Sequence, residues 1–488
     1  MKRRSFIQSL GLMGSSVLVP SMFGGQSVIS NAVGASVSQR AMINARAMLT
    51  DQVNLVLPTV LPQVINIFLY GGPSELGGNL TNIDEINGES KNKYPANLLP
   101  GGSEHTLNGF WKAAGGEVME RMVANKRLSV YRTINRVDDN SRAHRPSIFS
   151  NLTGMLGEDD LRPGIGTNIA SFLSANNAIT EDSRFPFVTF DGESLVYNQG
   201  SSLPLAYKPL SLNQNLENPY QRFGNTVLGD AESALDELAK SVMKSNAARY
   251  AKVSSAFTKR DEIDTFIGSL TDTVNNDVLT LRNPDFVLDS TVLNEVDEFI
   301  TYPNNGLGAR LKAAVGLVVS NPETLFVSLG TDGLGGWDDH NAVLENNRYS
   351  NRMQNLMRSL EVASQHLEAA GRGNVVINVY GDFGRNANLN DSLGWDHGNC
   401  QNLYTVGAAS GTADSLAGRE LGKIVGETTV KGNANQNRLF THPTDNSYQC
   451  EPFAIAASVY KYFGVQNPEI LTGGYAAIDE TAENLLKI

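Results

Sequence analysis

The stretch from residue 324 to 382 constrains the fold more than any other part of the chain. TLFVSLG (324–330) is a short apolar, β-branched run of the kind that makes a buried strand. In the segment after it, Tyr349, Met353, Leu356, Leu360, Ala363 and Leu367 recur at steps of four and three, and Gly371 closes the pattern. That is the apolar stripe of an amphipathic helix with a glycine stop. NVVINVYGD (374–382) is a second apolar run. Strand, long helix, strand predicts a right-handed crossover and parallel strands, because parallel strands cannot be joined by a tight turn.

Three further runs read as strands: QVINIFLYGG (63–72), RLSVYRTI (127–134) and FPFVTF (185–190). A helix is expected over about 306–319, and another in PFAIAASVYKYFG, with Pro452 at its start and Gly464 past its end. The expected class is α/β, a doubly wound, mostly parallel sheet flanked by helices. Residues 230–285 are charged and helical in pattern, and the flanking stretches are rich in Asn, Pro and Ser. Residues 191–305 are therefore expected to form a helical and irregular insertion or cap.

The chain begins MKRRSFIQSLGLMGSSVLVP, a basic start followed by a moderately apolar stretch, with small residues near Ala32 and Ala35. This is the pattern of an export signal over residues 1–35, and Arg3-Arg4 followed by Ser5 and Phe6 resembles a twin-arginine signal. The expected location is periplasmic or secreted, with the twin-arginine export machinery as a partner. The apolar stretch is too short and too broken by Gly and Ser for a stable membrane span. With 51 acidic against 39 basic residues the net charge is −12, which argues against nucleic acid as a partner. The two cysteines, Cys400 and Cys450, are either a disulfide, which an oxidising compartment permits, or two buried thiols.

In parallel α/β sheets ligands collect at the carboxyl ends of the strands, and the polar residues fall at those ends. TDGLGGWDDHN (331–341) carries Asp332, Asp338, Asp339 and His340; GDFGRNANLNDSLGWDHGN (381–399) carries Asp382, Arg385, Asp396 and His397; NRVDDNSRAHRPS (135–147) carries Asp138, Asp139, His144 and Arg145. Carboxylate oxygens with imidazole nitrogens form a donor set for divalent metal ions, and two such ions can clamp a phosphoryl or sulfuryl transfer. Arg385 or Arg145 offers a planar fork for the anion. His366 reads as structural or surface, His105 is assigned nothing, and His442 beside Asp445 is intermediate. A P-loop, a G-x-S-x-G elbow, H-E-x-x-H and C-x-x-C are all missing.

The blocks NGLGARLKAAVGL, SLGTDGLGGWDDHN, VYGDFGRNANLN and GWDHGN, in that order, resemble the exported bacterial family numbered 1501 among domains of unknown function. GGPSEL (71–76) and NSRAHRPSIFSNLTG (140–154) are similar to its amino-terminal blocks. The resemblance implies a sulfatase-like, alkaline-phosphatase-like domain over 36–488 with a di-metal site. It implies Asp338, His340, Asp382, Asp396 and His397 as metal ligands, and Arg385, His144 and Ser141 as catalytic groups. Three positions depart from the family pattern: Glu75 lies where an aspartate is common, Ala143 where serine is often seen, and Asp382 replaces a glutamate. The nucleophile is left to Ser141 or Ser147.

The function these readings imply is that of an exported metal-dependent hydrolase of a phosphate or sulfate ester. Its cofactor would be zinc, calcium, magnesium or manganese, and its substrate a small anionic ester or a sulfated or phosphorylated polymer. Two alternatives stay open. One is a catalytically inactive relative that binds or assembles at the cell surface; the other is a protein whose single bound ion, calcium in an Asp/Asn-rich loop, is purely structural.

Overall fold

The computed structural model describes residues 52–138, 142–216, 227–245, 261–271, 281–286, 297–409 and 420–479, with positions 249, 254 and 258 between them. The chain divides into two compact units, Met1–Val53 and Asn54–Ile488. The expected signal over residues 1–35 lies outside the described residues, and the sheet and helices belong to the second unit.

The centre of that unit is an eight-stranded sheet. In chain order the strands are β1 (Gln63–Leu69), β2 (Leu128–Asn135), β3 (Phe187–Thr189), β4 (Leu210–Ser211), β5 (Phe326–Gly330), β6 (Val375–Gly381), β7 (Cys400–Val406) and β8 (Ile424–Val425). Across the sheet they run β4-β3-β5-β1-β6-β7-β2-β8. Neighbours are parallel except where β7 pairs with β6 and β2. A separate antiparallel hairpin joins β9 (Thr428–Asn433) to β10 (Arg438–Pro443).

The core is split by the pleat. Successive side chains of a strand point to opposite faces. Ile65, Ile67 and Leu69 of β1 therefore join Ile377 and Val379 of β6 in one cluster, while Phe68 and Tyr380 fall in another. The first cluster is completed by α1 (Gly116–Ala124), α5 (Gly306–Ser320) and α6 (Arg348–Ala369); the second takes Leu152 from α2 (His144–Thr153) and Ala454 and Ile455 from α7 (Phe453–Tyr462). Helices thus cover both faces, which explains why every residue of β1 is buried and why the strand reads as a nearly unbroken apolar run.

The five expected strands and three expected helices are all present, with ends shifted by up to three residues. β5 and β6 are parallel as expected, but they do not pair with each other: β1 lies between them. β7 escaped the sequence reading because its polar residues Gln401, Asn402 and Thr405 are as buried as its apolar ones, so it shows neither alternation nor an apolar run. A helix α3 (Ile165–Ala175) comes before 191–305; within it α4 spans Val227–Ser245, β4 extends the sheet at its edge, and Ile263, Ile267 and Leu270 pack into the first cluster.

The cysteines are free thiols, and the sheet rules out their pairing. Cys400 pairs with Asn135 on one flank of β2, whereas Cys450 bridges Ile134 on the other. Two strand spacings of about 4.8 Å place them about 9–10 Å apart, beyond the Cα separation a disulfide spans.

Candidate metal centre

Within the eight-stranded sheet all the strands but β7 point the same way, so the ends of β1, β2, β5 and β6 open onto one edge of the sheet. β7 runs in the opposite direction, and its first residue, Cys400, lies at that same edge. GWDHGN, immediately before Cys400, is therefore delivered there by the antiparallel strand. The backbone is shaped for close approach: Gly71 and Gly72, just after β1, have φ values of +111° and +71°, and a Cβ on Gly71 would lie 2.6 Å from the Asp338 nitrogen. Only glycine lets the end of β1 touch the WDDH loop.

Three imidazoles meet at this edge, each anchored through Nδ1 and each turned inward through Nε2. His144, the first residue of α2, places Nδ1 2.7 Å from Asp382 Oδ2. His340 places Nδ1 3.3 Å from Asp396 Oδ1. His397 donates from Nδ1 to the Arg142 carbonyl at 2.5 Å. The three Nε2 atoms lie 3.4, 3.0 and 3.6 Å from a single oxygen, Asp338 Oδ1. His340 and His397 also bring their Nε2 atoms to 3.0 Å from each other, and Phe383 packs against the rings of His144 and His397.

This is the arrangement that readies imidazole for a metal. An acceptor on one ring nitrogen fixes the tautomer and leaves a lone pair on the other. His144 Nε2 is buried and makes no hydrogen bond, an orphan that costs free energy unless it has a partner. His144, Asp338 and His397 each offer one ligand atom, all within 4.8 Å of one another. Two nitrogens and a carboxylate oxygen, with the Nε2 of His340 beside them, suit a borderline divalent ion.

The surrounding charges serve this cluster. Asp382 is fully buried; it accepts from the Gly71 N–H at 3.2 Å and from His144, so its oxygens are already engaged. Burial raises its pKa, and the hydrogen bond to Asp382 raises that of His144. His397 is pushed down by burial, aided by the positive charges of Arg385, His144 and His340, which favours the neutral ring. For Asp338, burial works upward, but Arg385 and the histidines outweigh it and hold the carboxyl below its usual range.

Arg385 is not placed to grip a ligand. It is 1 % exposed, and its donors go to the carbonyls of Gly72 (2.6 Å), Trp395 (3.1 Å), Trp337 (3.2 Å) and Gly71, and to Asp338 Oδ1 at 2.6 Å. It ties together three loops and supports Asp338. Arg145 is exposed and pairs with Glu158 at 3.1 Å.

Other expected candidates go elsewhere. Asp339 is buried between Arg348 and Arg352, and Asp332 pairs with Arg310. Asp138 accepts from the Tyr475 hydroxyl. His366 is buried in α6 beside the Tyr302 hydroxyl, His105 faces the Leu98 carbonyl, and His442 lies on β10. Asp139 and Ser141 lie outside the described residues. Ser147 is fully buried inside α2. Glu75 is also buried, with Oε1 taking the Thr441 hydroxyl, and burial raises its pKa to about 7.

Sequence reasoning missed Asn151, which donates to the Gly381 and Asp382 carbonyls at 2.9 Å, and Arg136, which donates to the Asp382 carbonyl at 3.0 Å. Both hold the end of β6, and nothing in their local sequence marks them. The same is true of Arg142, two residues before His144.

Comparison with known proteins adds a family but no reaction. No curated protein matches. Among solved structures, the PsFucS1 sulfatase from Pseudoalteromonas sp. aligns over 92 % of this chain and 76 % of its own, at 13 % identity and a TM-score of 0.35. Residues 62–415, which span β1 to beyond β7 and hold the whole cluster, match the family described as protein of unknown function DUF1501. The chain is therefore a member of the DUF1501 family.

Proposed function

We propose that this protein is a metal-dependent hydrolase of phosphate or sulfate esters, of the sulfatase-like, alkaline-phosphatase-like kind, exported to the periplasm or beyond by its amino-terminal twin-arginine sequence. One observation carries the reading: three imidazoles, each anchored at Nδ1, converge through Nε2 on Asp338 Oδ1. His144, Asp338 and His397 would hold the ion, with His340 as a further ligand. Asp382 and Asp396, expected as ligands, act instead behind His144 and His340 as the acceptors that orient them. Arg385 positions Asp338.

A divalent ion here would polarise an ester oxygen and make water acidic enough to attack at neutral pH. The cluster is open enough for a substrate to reach it, since the Asp338 and His340 side chains are 48 % and 43 % exposed. Ser147 is too buried to attack, which favours water over a serine nucleophile among the described residues. Among those residues no helix is long and apolar enough to cross a membrane.

Elemental analysis of the natively exported protein tests the reading, with His397→Ala and Asp338→Ala alongside. About one or two equivalents of metal are expected in the wild type and none in either variant, with hydrolysis of an aryl phosphate or aryl sulfate lost in step. A wild type that carries no metal would falsify the metal assignment. Metal without any ester hydrolysis would leave an ion-binding surface protein, and a loss of thermal stability on chelation would then mark the ion as structural.

A further inference from the structure

Beside the cluster lies positive charge that the metal reading does not use. The Arg142 carbonyl receives the His397 Nδ1 hydrogen bond. Its guanidinium donates through Nε to Asn399 Oδ1 at 2.7 Å and lies over the Phe440 ring, 4.3 Å from the centroid. β10 alternates: Leu439, Thr441 and Pro443 are buried, while Arg438, Phe440 and His442 share the outer face. Arg438 therefore stands one step along the same face from the ring that carries Arg142.

Among the described residues neither guanidinium has a carboxylate partner, although the chain as a whole carries a net charge of −12. Lys431, opposite Phe440 on β9, does have one in Asp445 at 3.8 Å. Arg142 over the Phe440 ring and Arg438 one step along the same face form a like-charged pair, and a planar fork fits an oxyanion in two-point fashion. The site is separate from the reacting centre: the His397 ring stands between them, with Nδ1 toward Arg142 and Nε2 toward Asp338.

We propose that Arg142 and Arg438 form a subsite for a second anionic group of the substrate, so that the preferred substrate is a polyanion bearing sulfate or phosphate groups rather than an isolated monoester. This rests on the hydrolase reading for the identity of the polyanion as substrate; the binding itself does not.

The test is binding of fluorescent dextran sulfate, with uncharged dextran, inorganic sulfate and inorganic polyphosphate as competitors. The proteins are the wild type, Arg438→Gln, Arg142→Gln/Arg438→Gln and His397→Ala. Dextran sulfate should bind the wild type, more weakly as salt rises. Affinity should fall about tenfold per guanidinium removed, while metal content stays unchanged in Arg438→Gln. His397→Ala should lose the metal and keep the polyanion, so the two readings fail separately. Competition by polyphosphate stronger or weaker than dextran sulfate identifies the favoured oxyanion, and either order supports the subsite. Arg438 is on an exposed face, so its single variant reads binding even where the double variant folds poorly. Unchanged affinity in Arg438→Gln and in the double variant, or no binding by the wild type, overturns the proposal.

Discussion

Asp338 and Asp339 are neighbours in sequence and opposites in setting. Asp338 belongs to the open edge of the sheet, half exposed, with three imidazole nitrogens and Arg385 around one of its oxygens. Asp339 belongs to the layer behind, 3 % exposed, held by Arg348 at 3.1 Å and by Arg352, whose guanidinium also lies over Trp337. The first carboxylate is arranged to receive charge and the second to cancel it. Acidic residues in one short motif thus divide between chemistry and architecture according to which face of the loop each one takes.

The largest effect should separate the two directly. Asp339→Ala leaves the buried Arg352 guanidinium without its anion and should cost about 3–5 kcal/mol. Asp338→Ala should cost less, about 1–2 kcal/mol, since Arg385 keeps four carbonyl acceptors, while abolishing metal retention. Urea unfolding of the metal-free proteins checks this. Equal or reversed losses would break the contrast.

Histidines repeat it. The site histidines turn Nε2 toward Asp338, whereas His366 in α6 is buried with its Nδ1 3.0 Å from the Tyr302 hydroxyl. Burial, aided by Lys312, lowers its pKa to about 4. Its neutral form is favoured by the fold, so the stability it contributes is complete above the unfolded value near 6.5 and is lost as pH falls toward about 4. The loss should reach up to about 3 kcal/mol. Unfolding free energies measured across that window in the wild type and in His366→Gln should diverge in the wild type's disfavour as the pH drops; parallel curves would remove His366 from the architectural side.

Gly71→Ala tests how tightly the two layers are coupled. Its left-handed backbone and the contact with the Asp338 nitrogen predict a loss of about 1–3 kcal/mol together with weakened metal retention. Loss of stability with normal metal binding would show that the WDDH loop holds itself in place. The smallest effect concerns the sheet alone: two titratable thiols in the unreduced, denatured protein, and a melting temperature that reductant does not move. A reductant-sensitive melting temperature would contradict the placement of Cys400 and Cys450 on opposite flanks of β2.

Much of this could be read from local sequence. Periodicity is a local property, so the apolar runs of β1, β2, β3, β5 and β6 and the 3.6-residue stripe from Tyr349 to Leu367 announced themselves, as did the Asp/His pairs at the strand ends. The order of the strands, the reversed direction of β7, the burial of Arg385 under four carbonyls, the turning of Asp338 outward and Asp339 inward, and the stacking of Arg142 on Phe440 belong to the tertiary structure. Each depends on residues distant in sequence, 298 positions apart for Arg142 and Phe440, that come together only when the sheet assembles. A side chain's type fixes what chemistry it can offer; register, burial and its neighbours decide whether that chemistry faces a ligand, another side chain or the core.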